Sequence, residues 1–403
     1  MPTMTHPVPT PQPMSSTGRV TGGVDTHKDT HTAAVLDACG RMLGHQQFPT
    51  TPAGYALLLT WLRSHGELDK VGIEGTGAYG AGLALYLRVA GVELVEVDRP
   101  DRSTRRGRGK SDPVDAEAAA RAAQAGRATG VPKDRTGRVE ALRALRVARR
   151  SAVTARADTQ TQMKSLIVTA PDQLRAQLRT LGDRQLIRHC ATRRPDHTAV
   201  GDPTTATVMA LRALARRHQQ LTVEIDELDG LIAPLAAAIN PALCALLGVG
   251  PDVAGQLLVT AGENPQRLRS DAAFAMLCGA APLPASSGRT LRHRLNRGGD
   301  RHANAALHRI VLCRLRWDPR TRSYADRRTT EGMSKKEIMR CLKRYLAREI
   351  YTALLNPHPS SNPAVPSAAW RSQRAAPAAQ RGRTTCATRG RTPQVNASDL
   401  RVG

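Results

Sequence analysis

At 403 residues the chain is long enough to bury two or three separate cores, which excludes a single small module. Lysine and arginine number 59 against 34 acids, a formal charge of +25 spread along the whole length, so a polyanion is the natural partner. Aromatic residues make up only 3%, too few for the stacking platforms that grip single strands, and arginine contact with the backbone of duplex DNA or a structured RNA is the expected mode.

Residues 1–17, rich in proline and threonine, lack the charged and apolar regions of a secretion signal and read as a disordered arm. Short apolar runs then predict strands at 19–24, 32–37 and 42–48, a helix over 52–64, a buried strand at 70–74, a helix over 79–90 and a strand at 92–97. A basic loop follows, then a helix opening at Pro113. Three strands followed by alternating helix and strand match the ribonuclease-H-like order, so 18–130 is expected to be an α/β domain.

Residues 131–240 are poor in glycine and rich in alanine, leucine and arginine, the composition of a long helical linker. Leu221, Ile225, Leu228, Ile232 and Leu235 alternate spacings of four and three and form one helical seam. Such a seam serves packing inside the chain or a coiled coil between chains, and the spacing does not choose. Seven arginines between Arg135 and Arg156 line a second helical stretch, as a solvated face or as phosphate contacts. The apolar text of 231–250 is interrupted by Pro234, Asn240 and Pro241, which makes it a buried helix end and turn and leaves no membrane span.

From 241 to 356 a helical, basic final domain is expected, opened by LLGVGPDVAGQLL. This pattern resembles a helix-hairpin-helix element, whose Gly248 and Gly250 would let backbone N–H groups meet a phosphate. Residues 357–403 combine prolines, serines and arginines without periodicity and read as a disordered basic tail. The seven cysteines are scattered and never form a C-x-x-C pair, so neither a zinc site nor a disulfide framework is indicated.

Two constellations carry chemistry. Asp25 follows the first strand, Glu74 ends a later one, and Asp112 with Asp115 share a face at a helix start. Each acid alone is an ordinary turn, rim or capping residue. Their joint order is that of carboxylates converging on one sheet edge, where Mg2+ or Mn2+ would bind and serve in-line phosphoryl transfer. The second is the loop PLPASSGRTLRHRLNR, in which Ser286 and Ser287 precede Gly288 and the arginines Arg289, Arg292, Arg294 and Arg297. A serine hydroxyl needs activation to attack, and guanidinium groups would hold the phosphate it attacks. A flexible Ser-Gly linker in a nucleic-acid-binding surface has the same composition, so these residues alone do not name a nucleophile.

The segments GVDTHKDTHTAAV, IEGTGAYG, KSDPVDAEAAAR, LGVGPDVA, CGAAPLPASSGRTLRHRLNRGGDRHAN and SKKEIMRCLKRYLARE, in this order and spacing over 20–355, resemble transposases of the IS110/IS116/IS902 group. The resemblance implies a RuvC-like ribonuclease-H-fold domain whose Asp-Glu-Asp-Asp set is Asp25, Glu74, Asp112 and Asp115. It implies a helical linker that mediates assembly into a homo-oligomer, a dimer or tetramer, and a carboxy-terminal transposase domain with a catalytic serine. By its place before glycine that serine corresponds to Ser287, with Ser286 the second candidate. It further implies donor and target DNA, a structured guide RNA, no membrane, and work on the nucleoid in the bacterial cytoplasm. The competing readings are a RuvC-like nuclease that cuts branched DNA with water and a non-catalytic nucleic-acid-binding protein.

Overall fold

The computed structural model describes residues 18–97, 111–287 and 293–358, all within one compact unit, Met1–His358. The expected arm and tail lie outside the described residues, apart from Pro357 and His358. Five strands, β1 (Arg19–Thr26), β2 (Thr30–Asp37), β3 (Met42–Pro49), β4 (Glu67–Glu74) and β5 (Glu93–Val97), form one mixed sheet in the order β3-β2-β1-β4-β5. The first three pair antiparallel and β4 and β5 join parallel, an arrangement compatible with the ribonuclease-H-like expectation.

Two helices, α1 (Pro52–Ser64) and α2 (Ala81–Val89), cover one face of the sheet. Thr51 caps α1 through Gly54 N–H, Pro52 suits the first turn, and Leu58, Leu59 and Leu62 meet Val24, Val35, Val71 and Ile73. The opposite face takes α3 (Asp112–Gln124), whose Ala116, Ala119, Ala120 and Ala123 are buried. Gly23 and Gly72 make this approach possible. A Cβ on Gly23 would stand 2.2 Å from Ala116 O and Ala120 N, and one on Gly72 would stand 2.6 Å from Ala119 O.

The rest of the described chain is helical. α4 (Arg138–Val168) runs out along α7 (Pro203–Ile239), with α5 (Asp172–Leu178) and α6 (Asp183–Thr192) between them. At the near end Leu142 of α4 shares a core with Ile232 and Ala236 of α7; at the far end Met163 and Ile167 share another with Leu211 and Ala215, so the pair is antiparallel. Ile225 and Ile232 of the heptad-like seam are buried, and Leu228 and Leu235 pack on the near core. The chain itself therefore covers much of this seam. The near core also includes α8 (Pro241–Cys244), α9 (Pro251–Ala261), α10 (Asp271–Leu277), α11 (Arg301–Trp317), α12 (Pro319–Thr330) and α13 (Lys335–Leu355).

The segment between α3 and α4 ties the sheet to this second core. Glu96 N–H donates to Gly130 O at 2.6 Å, which lays the segment along the β5 edge, and Arg88 of α2 pairs with Asp134. On its other side Asn264 Nδ2 donates to Pro132 O at 3.1 Å, Arg267 Nη1 to Val131 O at 3.2 Å, and Val139 N–H to Glu263 Oε2 at 2.8 Å. Lys133 Nζ donates to Val259 O at 2.7 Å, and burial pushes this lysine down to about 8, with the nearby Arg267 cation acting the same way.

Two stability measurements test these readings. Gly23→Ala should cost at least about 2 kcal/mol in urea unfolding, because its Cβ meets backbone that cannot step aside. Gly22→Ala, whose Cβ meets the ends of Leu62 at 3.1 Å, should cost clearly less, and equal losses would refute the close-approach argument. For Lys133 the folded value lies below the ordinary 10.5, so the unfolded chain binds more protons between about 8 and 10.5 and stability should rise with pH across that window. Replacing Lys133 with methionine should flatten this rise, and an unchanged slope would count against the burial argument.

Candidate functional site

The glycine contacts set the position of the acids. On β1 the side chains alternate, so Asp25 lies on the same face as Gly23, the face covered by α3, about 6.6 Å further along the strand. Asp112 lies four residues before Ala116 and Asp115 five before Ala120, about 6 and 7.5 Å back along the helix respectively. Since α3 runs against β1, both displacements lead to the carboxyl-terminal edge of the sheet. Glu74 reaches the same edge from β4, where Val24 is paired with Ile73 and Thr26 Oγ1 donates to Glu74 O at 2.8 Å.

Asp25 and Asp115 are buried, and the Asp112 side chain is 42% exposed. Burial holds the Asp25 pKa above the ordinary carboxylate value; His27 opposes this, and the charges of Asp115 and Asp112 add to it. His27 was not among the residues expected from sequence. Its Nε2 lies 3.1 Å from Asp25 Oδ2 and 3.3 Å from Asp112 Oδ1. One ligand atom from each of Asp25, His27 and Asp112 lies within 4.8 Å of the others, a donor set that fits a divalent cation. The signal for His27 was present: in D-T-H at a strand end the first and third residues share a face.

The serine loop belongs to the second core. Its two ends cross at Gly279 and Gly299, with φ of 62° and 80°, where Asp300 N–H donates to Leu277 O at 2.6 Å. Asn304 Nδ2 donates to both Cys278 O and Gly279 O at 2.9 Å, and Lys343 Nζ donates to Asn304 Oδ1 at 2.8 Å. Above this base β6 (Leu283–Pro284) and β7 (His293–Arg294) pair antiparallel into a short arm. Ser286 and Ser287 are exposed beyond β6, as are Arg294 and Arg297 on the return; Arg289 and Arg292 lie outside the described residues.

The hairpin glycines are placed differently from a long helix pair. The helix before them, α8, has four residues; Gly248 has φ 85° and Gly250 is the N-cap of α9. In the first turn of α9 Asp252 accepts from Arg146 Nη1 and Arg309 Nη1, each at 2.7 Å, and from Arg149 Nη1 at 3.3 Å. Arg149 also pairs with Asp229 of α7. Two of the seven arginines on the α4 stretch are thus bound inside the protein, being neither a solvated face nor free for phosphate.

A mixed sheet carrying acids at its carboxyl-terminal edge, joined to a helical region, is compatible with a ribonuclease-H-like DEDD domain followed by a helical region. The family model for the DEDD transposase of IS110 elements matches residues 22–170, and that for the IS116/IS110/IS902 transposase family matches 240–326. The chain belongs to this transposase family. It is 29% identical over 172 residues to the insertion element IS900 uncharacterized 42 kDa protein of Mycobacterium paratuberculosis, a match covering 42% of each chain. It is 27% identical over 143 residues to the insertion element IS110 uncharacterized 43.6 kDa protein of Streptomyces coelicolor, covering 35% of each. The matches thus span less than half the length of these relatives. Among the described residues no helix is long and apolar enough to cross a membrane.

Asp25 yields a prediction of opposite sign to the usual carboxylate. Its raised pKa means that the folded chain holds this proton more tightly than the unfolded chain, so metal-free stability falls as pH rises above the ordinary value of 3.8 through the raised one. Asp25→Asn should therefore raise the melting temperature of the chelated protein at neutral pH by a few degrees, about what 1 kcal/mol gives. A lowered melting temperature would show that the buried charge is already compensated.

Proposed function

We propose that the protein is a DNA transposase or site-specific recombinase that cuts and rejoins DNA through Ser287, assisted by divalent metal ions, Mg2+ or Mn2+, held by Asp25, Glu74, Asp112 and Asp115. The observation that carries this reading is the meeting of Asp25 and Asp112, from a strand and from a helix, at one sheet edge. When bound, such ions would offset charge building on the attacking and leaving oxygens of a phosphodiester.

In the proposed reaction the Ser287 Oγ bonds to phosphorus and its proton passes to the departing strand, which leaves as a hydroxyl. The hydroxyl of a new strand then bonds to the same phosphorus, and the serine recovers its proton. Two phosphodiester-like bonds are exchanged without an external energy source. Arg294 and Arg297, with Arg289 and Arg292, would hold the phosphate, and the turn at Gly248 and Gly250 would touch the backbone of the duplex.

The helix-hairpin-helix reading of that turn and the linker role of 131–240 belong to the same proposal. So do the partners: donor and target DNA, a structured guide RNA and a homo-oligomer, dimer or tetramer, acting at the nucleoid. The +25 charge and the scarcity of aromatic residues support a folded polyanion. The acids and the serine stand on different cores, so the reactive arrangement draws on both, within one chain or between chains.

The test is to quench the reaction of labelled DNA under denaturing conditions. A covalent protein–DNA adduct is expected with the native protein and should be lost in Ser287→Ala but kept in Ser286→Ala. Loss only in Ser286→Ala would move the nucleophile by one residue, and cleavage without any adduct would point to a nuclease that uses water.

A further inference from the structure

We infer that His27 is a nitrogen ligand of the metal ion bound by Asp25 and Asp112, and that it biases this site toward first-row transition ions such as Mn2+ over Mg2+. The inference rests on the carboxylate metal site proposed above and extends it to a residue outside the acidic set.

Strand alternation brings His27 to the Asp25 side, and the turn holds it there, with His27 N–H donating to Thr30 O at 3.1 Å and Thr50 Oγ1 to His27 O at 3.4 Å. Its Nε2 is 3.1 Å from Asp25 Oδ2 and 3.3 Å from Asp112 Oδ1. Two ligands at right angles on an ion about 2.1 Å from each stand about 3.0 Å apart, so these separations are already those of neighbouring ligands. The imidazole is 46% exposed and the Asp112 side chain 42%, whereas Asp25 is 11% exposed; the site is thus anchored on the sheet and open to solvent, from which an ion enters and draws its remaining waters.

A bare ion pair is the other reading of the same distances. At this exposure it would contribute little and would not discriminate between cations. An imidazole nitrogen does discriminate: Mg2+ prefers hard oxygen donors and its own waters, while first-row transition ions accept nitrogen readily.

The experiment uses the full-length protein freed of metal by chelation, titrated separately with Mn2+ and Mg2+ in a calorimeter, with pulsed EPR of the bound Mn2+. Native protein should show a nitrogen coupling on Mn2+ that His27→Ala removes, and His27→Ala should weaken Mn2+ about tenfold or more with a much smaller effect on Mg2+. His27→Gln keeps a hydrogen-bond donor for Asp25 and should not restore Mn2+ binding. Absence of the nitrogen coupling, equal losses for both ions, or rescue by glutamine would overturn the inference and leave His27 as a residue that positions Asp25. Asp25→Asn should abolish binding of both ions. Binding that survives Asp25→Asn overturns the carboxylate site and this inference together, whereas binding that needs Asp25 but ignores His27 overturns only the inference.

Discussion

Helix α3 lies against the sheet at a separation that only glycine allows. At Gly23 and Gly72 the helix backbone occupies the space a Cβ would take, and from that contact follows the position of the helix-borne Asp112 and Asp115 against the strand-borne acids. Were the helix held further off by side chains, Asp112 and Asp115 would stand away from Asp25, and the strand-borne and helix-borne donors would be too far apart to share an ion. Small alanines along α3 serve the same end. The cost appears in Asp25, a carboxylate buried beside two others, which folding places where its charge is unwelcome.

The arginine content divides into two populations. Arg146, Arg149, Arg267 and Arg314 are bound to acids or carbonyl groups within the fold, where their planar donors add polar ties to elements packed around the shared apolar core. Arg294 and Arg297, by contrast, stand exposed on the serine arm. The 59 basic residues therefore overstate the free cations offered to a nucleic acid, whereas the net charge of +25 already subtracts the acids, and part of the arginine bias is architecture.

Local patterns in the sequence carried the order of elements well. The strands and helices of the sheet domain fall within a few residues of their expected places, because alternation, the Thr51 cap and the Pro52 and Pro113 starts are short-range signals. The seam on α7 was also legible, though its partner was not: spacing shows that a face is apolar and says nothing about whether the chain itself covers it. The three-arginine cluster on Asp252 and the pinched base of the serine arm join residues far apart in sequence, as Arg146 and Arg309 do at Asp252, so each exists only after the fold has formed. His27 carried a local signal in its spacing from Asp25, and only its approach to Asp112 depends on the fold. Gly23 and Gly72 were visible as glycines inside strands, a signal for a close neighbour that pattern reading passed over.

The antiparallel pair α4 and α7 leaves the second core beyond Leu145 and Arg149 and returns to it at Leu228 and Ile232, with a separate small core at its far end. In topological terms everything from about 150 to 227 is a single excursion from one packed body, stiffened into a rod. Whole turns added to or removed from both helices together would preserve their mutual packing and leave both end cores intact, much as a strut is cut to length. The reach of the far end can thereby change without any redesign of the sheet edge or the serine arm.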